Sequence, residues 1–308
     1  LFDYQQLAVK NTINFLYNYF ESVQKYQVSE SEDIGIERKK KWYSELEKSE
    51  KTLLEKLGYS NKNHKTLFQK IEQYYETEPV GNDKKIHFFN FVNRMSFWMA
   101  TGSGKTIILV KLIEILTNLI DAKLIPDNDI LILTPREDLI DQIKTTVEEF
   151  NHNSTKKIEI WPLNRYDDVK NGSVLTTGNL NVFIYKSDLF SEKTKVKQIG
   201  FEDFENDGKW YVLLDEAHKG DSEDSKRQLF YSLFSRNGFL FNFSATFTDP
   251  WDILTTVCNF NLDTFIQKGY GKNVYLSQQE FEAFKTKGDF ANKEKQKIVL
   301  KSLILLSI

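Results

Sequence analysis

The stretch Met99-Ala100-Thr101-Gly102-Ser103-Gly104-Lys105-Thr106 decides the fold of this chain. Gly102 and Gly104 let the backbone curl so that successive N–H groups point at phosphate oxygens, and Lys105 can reach the outer phosphates. Thr106 offers a hydroxyl to Mg²⁺, and the helix predicted to begin here presents its positive end to an anion. We therefore interpret this stretch as a phosphate-binding loop.

A second motif, Asp215-Glu216-Ala217-His218, follows the apolar run 210–214. A strand that ends there places two adjacent carboxylates at its tip. The first stretch alone could be a simple glycine-serine turn, because the strict pattern has glycine where this chain has Met99. Since the second motif is independent and correctly ordered, the pair favours a site that binds and splits a nucleoside triphosphate.

Short apolar runs alternate with helical patterns along most of the chain. The predicted strands are residues 95–99, 130–133, 181–185, 210–214 and 239–243, and the predicted helices are residues 2–19, 105–119, 137–150 and 225–234. From the first strand onward, this alternation predicts an α/β fold in which a parallel sheet carries helices on both faces. Ligands of such sheets lie at the carboxyl ends of the strands, where both motifs fall.

The composition is that of an ordinary globular protein. Of the 308 residues, 40% are hydrophobic and 28% are charged, which is enough for a full core or two domains. The net charge of -3 provides no general basic field, so a nucleic acid would have to meet a local basic strip. The single cysteine, Cys258, argues for a reducing compartment, and we expect a cytoplasmic protein without a zinc site or a membrane span.

The motifs resemble those of superfamily 2 DEAD/DEAH-box helicases and translocases. The phosphate loop, Asp215–His218 and Ser244-Ala245-Thr246 resemble motifs I, II and III in the right order. Tyr4-Gln5-Gln6 resembles the Q motif, and Leu133-Thr134-Pro135-Arg136 resembles motif Ia. The resemblance implies a RecA-like first motor lobe that binds ATP and Mg²⁺ and hydrolyses ATP.

The resemblance also implies individual roles. The implied nucleotide-binding residues are Gln5, Thr101, Gly102, Ser103, Gly104, Lys105, Thr106 and His218. The implied catalytic residues are Lys105, Asp215 and Glu216, with Thr106 and Asp215 as metal ligands. The implied nucleic-acid contacts are Thr134, Pro135, Arg136 and Lys186, and the implied coupling residues are Ser244, Ala245 and Thr246. As an alternative, Gln5 and Arg136 could be surface residues and His218 a structural one.

Within the superfamily, the chain most resembles the motor (Res) subunit of type III, or type I, restriction endonucleases. The features are the sequence Phe243-Ser244-Ala245-Thr246-Phe247, the segment 266–272 and a long insertion before the phosphate loop. The resemblance implies translocation along duplex DNA, a nuclease domain elsewhere and a possible methyltransferase (modification) partner. An RNA helicase lobe, or a nucleotide- and DNA-binding module without turnover, is the alternative.

The predicted organisation has four segments. Residues 1–27 form the Q-motif helix, 28–87 a charged helical insertion, 88–268 the ATP-binding lobe and 269–308 the start of a truncated second lobe. The charges of the insertion could be a solvated face or a basic contact with nucleic acid. The chain starts at Leu1 and its last arginine is Arg236, so we expect a portion of a longer polypeptide whose second lobe supplies the arginine finger.

Overall fold

The computed structural model describes residues 1–25, 58–59, 69, 72–73, 85–173, 180–191, 199–217 and 226–271. The chain divides into two units, Leu1–Leu262 and Asp263–Ile308. Every residue predicted to belong to the functional site falls in the sequence of the first unit.

The helices of the described residues are α1 (Asp3–Lys25), α2 (Lys105–Asp121), α3 (Glu137–Asn153), α4 (Tyr166–Lys170), α5 (Lys226–Phe234), α6 (Pro250–Leu254) and α7 (Leu262–Gln267). The strands are β1 (Gly58–Tyr59), β2 (Ile86–His87), β3 (Arg94–Met99), β4 (Asp129–Thr134), β5 (Ile158–Pro162), β6 (Leu180–Lys186), β7 (Phe190–Ser191), β8 (Ile199–Gly200), β9 (Trp210–Asp215), β10 (Phe239–Ser244) and β11 (Thr256–Phe260).

Seven of these strands form one sheet in the order β11-β3-β10-β9-β4-β6-β5. Every neighbouring pair in it is parallel, so all carboxyl ends lie at the same edge. The predicted α/β fold with a RecA-like parallel sheet is confirmed. The five predicted strands are all present, each within one residue of its predicted bounds, whereas the edge strands β5 and β11 were not predicted.

The core lies around the central strands. Every residue of β9 and β10 is buried, which explains why both are predominantly apolar, with Asn242 as a buried polar residue within β10. Phe97 of β3 and Phe243 of β10 stack at 4.4 Å between ring centroids, and Phe239 packs edge-on against Tyr19 of α1 at 5.4 Å. These aromatic contacts fix β3, β10 and α1 relative to one another.

Helix α1 covers the edge strand β11. The side-chain amide of Asn11 donates to the Val257 carbonyl at 2.9 Å, and the ring of Tyr4 stacks on Phe260 at 3.8 Å between centroids. Ala8 and Leu16, on the same face of α1, are fully buried. The packing brings the first turn of α1 to the carboxyl end of the sheet.

The predicted helical insertion falls largely outside the described residues. Within it, Gly58–Tyr59 pairs with Ile86–His87 as an antiparallel strand pair, so these four positions are strand. The cross-strand hydrogen bonds there link residues far apart in sequence, which a local charge pattern cannot reveal. Of the predicted start of a second lobe, only residues 269–271 are described. None of the described helices combines the length and hydropathy of a membrane span.

Candidate nucleotide-binding site

Three sequence motifs meet at the carboxyl edge of the sheet. The phosphate loop follows β3, the acidic pair closes β9, and Ser244 closes β10, which lies between the other two strands. Neighbouring strands are about 4.8 Å apart, so the loop and the acidic pair are separated by roughly 10 Å across the sheet. A gap of this width suits a group that bridges the two, such as a phosphate with its cation.

The backbone of the loop has the left-handed geometry that glycine tolerates. Gly102 has φ 80° and Gly104 has φ 81°. Between them Ser103 is 1% exposed, and its hydroxyl donates to the Ala100 carbonyl at 2.6 Å. A Cβ added at Gly104 would lie 2.5 Å from the side-chain nitrogen of Gln5, so the close approach of Gln5 also requires glycine.

Lys105 and Thr106 begin α2 and are half-buried. The N-cap is Gly104, which provides no side-chain cap for the first turn. The first amides of an α-helix have no carbonyl partner within the helix, and they attract anions. The start of α2 can therefore receive a phosphate group, as the sequence predicts.

Gln5 lies against the phosphate loop. It is 2% exposed, so it is not a surface residue. Its side-chain nitrogen donates to the Ser103 carbonyl at 3.1 Å, and its side-chain oxygen accepts from the Phe2 amide at 3.0 Å. The preceding Tyr4, which sequence reasoning did not select, donates from its hydroxyl to the same Ser103 carbonyl at 2.7 Å.

The acidic pair has a tightly turned backbone. Asp215 is 7% exposed and one carboxylate oxygen accepts from the Glu216 amide at 3.0 Å. Glu216 has φ 54°, in the left-handed region that few residues other than glycine adopt. Such strain is frequent at functional sites. His218 of the same motif lies outside the described residues.

The side chains present are compatible with Mg²⁺. The Thr106 hydroxyl and the Asp215 carboxylate are hard oxygen donors of the type that Mg²⁺ prefers. No group of three or more histidine, cysteine, aspartate or glutamate side chains in the described part of the chain could hold a metal by itself. A cation at this site would therefore complete its shell with phosphate oxygens and water, which is how Mg²⁺ is usually held.

The predicted nucleic-acid residues lie at the ends of β4 and β6. Thr134 and Lys186 are partners in the register of these neighbouring strands. The side chains of Thr134 and Pro135 are buried, whereas Arg136 is exposed and pairs with Asp138 through two hydrogen bonds, one of them Nε to Oδ1 at 2.9 Å. Of these four residues, Arg136 and Lys186 offer cationic side chains.

The environment of Arg136 links it to the acidic pair. The hydrogen bond to Asp138 and the charge of that carboxylate raise the pKa of Arg136, and the charge of Glu216 contributes in the same direction. The ends of β4 and β9, from which Arg136 and Glu216 follow, are neighbours in the sheet.

The predicted coupling motif, Ser244–Thr246, contacts β3, the strand that precedes the phosphate loop. The Ser244 hydroxyl accepts from the Thr246 amide at 3.0 Å and closes a local turn. The indole of Trp98, the penultimate residue of β3, donates to the Ala245 carbonyl at 3.0 Å and meets Phe247 edge-on at 6.2 Å. Sequence reasoning missed Trp98, because no local pattern distinguishes it from a core residue of the strand.

The sequence is similar to a known protein family. A profile of the family described as "Type III restriction enzyme, res subunit" matches residues 1–249. No curated protein matches the chain significantly. Among solved structures, the chain is similar to the UvsW helicase from bacteriophage T4, with 18% identity, a TM-score of 0.32 and coverage of 61% of this chain and 62% of that chain. The chain thus spans less than two thirds of the length of that helicase chain.

The family match extends over most of the chain and contains all the motifs assembled at the carboxyl edge of the sheet. The chain therefore belongs to the type III restriction enzyme res subunit family, a family of superfamily 2 helicase-like ATPases.

Proposed function

We propose that this chain is the ATP-binding first motor lobe of an ATP-dependent DNA translocase that forms part of a type III-like restriction endonuclease. The observation that carries the proposal is the shared edge of β3, β10 and β9, which brings the phosphate loop, the coupling motif and the acidic pair to one place. Family membership supports a helicase-like motor; DNA as the track and restriction as the purpose are part of the proposal.

ATP binding is assigned to the loop and the start of α2. The amides of Gly102 and of Gly104–Thr106 surround the phosphates, whereas the Ser103 amide donates to the Ala100 carbonyl at 3.2 Å. The Lys105 ammonium neutralises the outer phosphate oxygens. Gln5 reads the adenine edge from its buried place beside the loop. Thr106 and Asp215 would hold Mg²⁺, which would neutralise charge on the phosphates and so favour transfer of the terminal phosphoryl group to water, with ADP as the leaving group.

Hydrolysis is assigned to Glu216. Its carboxylate orients the attacking water and accepts its proton. The left-handed backbone at this residue, φ 54°, turns the chain sharply directly after Asp215, so that adjacent carboxylates can take different tasks. His218, as part of the same motif, is assigned to nucleotide binding.

DNA contact is assigned to the ends of β4 and β6. Arg136 and Lys186 contribute charge, and the segment Thr134–Arg136 contributes backbone groups because the Thr134 and Pro135 side chains are buried. Contacts of this kind are made to phosphates, so they are independent of sequence and sensitive to salt. Ser244, Ala245 and Thr246, which follow β10 between the phosphate loop and the acidic pair, transmit the state of the nucleotide.

The test is ATP binding and ATP turnover by the chain and by the full-length protein, each alone, with duplex DNA and with RNA. DNA-stimulated turnover by the full-length protein is the expected result. Stimulation by RNA instead of DNA would assign the lobe to an RNA helicase. Binding without turnover by the chain would mean that another segment supplies the arginine finger, and failure to bind ATP would contradict the proposal. Association with a methyltransferase subunit is tested by copurification of the full-length protein.

A further inference from the structure

The carbonyl of Ser103 accepts two side-chain hydrogen bonds from the first turn of α1. Tyr4 donates from its hydroxyl at 2.7 Å, and Gln5 donates from its amide nitrogen at 3.1 Å. Both bonds are buried. A buried carbonyl that accepts two hydrogen bonds is strongly fixed in direction. Breaking either hydrogen bond would leave a polar group without a partner away from water.

The ring of Tyr4 is itself held in place. It is 9% exposed and lies parallel to the Phe260 ring, with 3.8 Å between the centroids and 7° between the planes. Phe260 also supports the loop through its backbone, since its carbonyl accepts from the Ala100 amide at 2.9 Å. The end of β11 therefore supports the loop twice, directly and through Tyr4.

The direction of the Ser103 carbonyl determines the direction of the next amide. In a trans peptide the N–H points opposite to the C=O, and no cis peptide is present in the described residues. The Gly104 N–H therefore points away from Tyr4 and Gln5. Gly104 can lie so close to Gln5 only because it lacks a Cβ, which would be 2.5 Å from the Gln5 nitrogen.

We propose that Tyr4 is a positioning residue of the phosphate loop: together with Gln5, it holds the Ser103–Gly104 peptide so that the Gly104 N–H faces the phosphates before the nucleotide binds. The inference rests on the proposed function, because it takes the loop to be the phosphate site. It also adds a role for Gln5, whose amide supports the loop in addition to reading the adenine.

A positioning role has a different signature from a contact with the base. A preformed loop saves the cost of ordering the backbone on binding, and phosphates are common to all nucleotides. Loss of Tyr4 therefore weakens the binding of ATP, GTP and inorganic tripolyphosphate by the same factor. A contact with the adenine would affect ATP alone.

The experiment measures dissociation constants of the three ligands with Mg²⁺, by calorimetry, for the wild type and for Tyr4→Phe. The variant keeps the ring stacked on Phe260 and removes only the hydroxyl. We expect about 2- to 10-fold weaker binding of all three ligands, the effect of one hydrogen bond, with an unchanged ratio of ATP to GTP affinity. The matched control is Tyr19→Phe, which alters a buried tyrosine of the same helix that contacts Phe239 and not the loop.

A second variant, Phe260→Leu, keeps the hydroxyl and removes the stacking partner. It should weaken the binding of ATP, GTP and tripolyphosphate by the same factor. Thermal unfolding shows whether each variant is folded. Unchanged affinities in a folded Tyr4→Phe, or a loss confined to ATP, would overturn the inference and leave the proposed function intact. A wild type that binds none of the three ligands would overturn the proposed function and the inference with it.

Discussion

The two glycines of the phosphate loop have nearly the same backbone angle but different surroundings. Gly102 has φ 80° and no heavy atom within 4 Å of an added Cβ, whereas an added Cβ at Gly104 would meet the Gln5 side chain at 2.5 Å. A side chain at either position strains the backbone, and only the one at Gly104 also displaces Gln5. Substitutions at the two glycines therefore distinguish the effect of backbone strain from the effect of displacing Gln5.

We expect Gly104→Ala to weaken ATP binding clearly more than Gly102→Ala does. Both variants carry about 1 kcal/mol of strain from a left-handed alanine, and the first adds the loss of the Gln5 hydrogen bond. Calorimetric titration of both variants with ATP, alongside thermal unfolding, measures the difference. Equal loss of affinity in the two variants would contradict the importance of Gln5 to the loop.

Glu216→Gln tests the hydrolytic assignment. The substitution keeps the shape of the side chain and removes its basicity, so ATP binding should be retained and turnover should fall about 10²-fold or more. Steady-state phosphate release by the full-length protein, with a parallel ATP titration, measures both quantities. The control is Glu114→Gln on α2, where the carboxylate pairs with Lys111 on the helix surface. Wild-type turnover by Glu216→Gln would refute the assignment.

Asp138→Asn tests whether Arg136 is available to DNA. In the structure the Asp138 carboxylate accepts hydrogen bonds from the Arg136 guanidinium. A DNA phosphate would compete for the same N–H donors. Removal of the charge should strengthen binding of duplex DNA by about 2- to 5-fold, the size expected for an exposed pair. Asp141→Asn, an exposed aspartate farther along α3, is the control. Fluorescence anisotropy over a series of salt concentrations measures the change, and weaker binding by Asp138→Asn would contradict it.

At the scale of secondary-structure elements, the indole of Trp98 adds a side-chain hydrogen bond to the strand pairing that joins β3 to the coupling motif. Trp98 donates to the Ala245 carbonyl at 3.0 Å, and Trp161, in the edge strand β5, makes an equivalent bond of 3.0 Å to the Asn181 side chain. Both indoles are part-buried donors, but only Trp98 joins the strand before the phosphate loop to the turn after β10. The two tryptophans therefore form a matched pair.

We expect Trp98→Phe and Trp161→Phe to lower the free energy of unfolding by similar amounts, about 1 kcal/mol for one lost hydrogen bond. Only Trp98→Phe should reduce the nucleic-acid stimulation of ATP turnover in the full-length protein, because only Trp98 touches the coupling turn. Urea unfolding and stimulated phosphate release measure the two effects. Equal stimulation in both variants would show that this hydrogen bond serves stability alone.

The elements also show which strands a sequence can reveal. Strands β9 and β10 are buried along their whole length, and their predominantly apolar sequences predict them within one residue. The edge strand β5 is mostly half-buried and ends in Pro162, so its apolar signal is weak. Strand β11 starts with two half-buried residues and has no regular alternation along its five residues, and its partner residues in β3 are distant in sequence. The burial pattern of an edge strand depends on the helices and loops that pack over it. A local sequence pattern does not contain that information.

At the scale of the whole molecule, several buried tyrosine and cysteine side chains make the free energy of unfolding fall at high pH. Burial raises the pKa of Cys258 to about 11 and that of Tyr231 to about 12, and it raises the pKa of Tyr19 and Tyr211 further still. The unfolded chain loses these protons at lower pH, near 9.0 for the thiol and 10.0 for the phenols. Their contribution to stability is therefore complete below those values and is lost as the pH rises towards the folded pKa values.

We expect the midpoint of urea unfolding to stay level up to about pH 9 and to fall between pH 9 and 11. Cys258→Ala should make the fall begin nearer pH 10, because the tyrosines alone then remain. Circular dichroism along a urea series at each pH measures the midpoints. An increase of the urea midpoint as the pH is raised above 9 would contradict the burial of these side chains.

The sequence by itself determined the chemistry and the fold class. The spacing of Gly102, Gly104 and Lys105 encodes a phosphate loop, because left-handed glycines and a helix start are local properties of the backbone. Likewise, an apolar run that ends in Asp215 and Glu216 encodes a strand with acidic residues at its tip. Both properties depend on neighbours along the chain.

Only the tertiary structure decided which residues surround these motifs. The order β3-β10-β9 places the coupling turn between the loop and the acidic pair, and the packing of α1 on β11 puts Tyr4 and Gln5 on the Ser103 carbonyl. Likewise, Trp98 meets Ala245 only because β3 and β10 pair in one register. These contacts join residues far apart in sequence, and they arise from strand order and burial, which no local pattern contains.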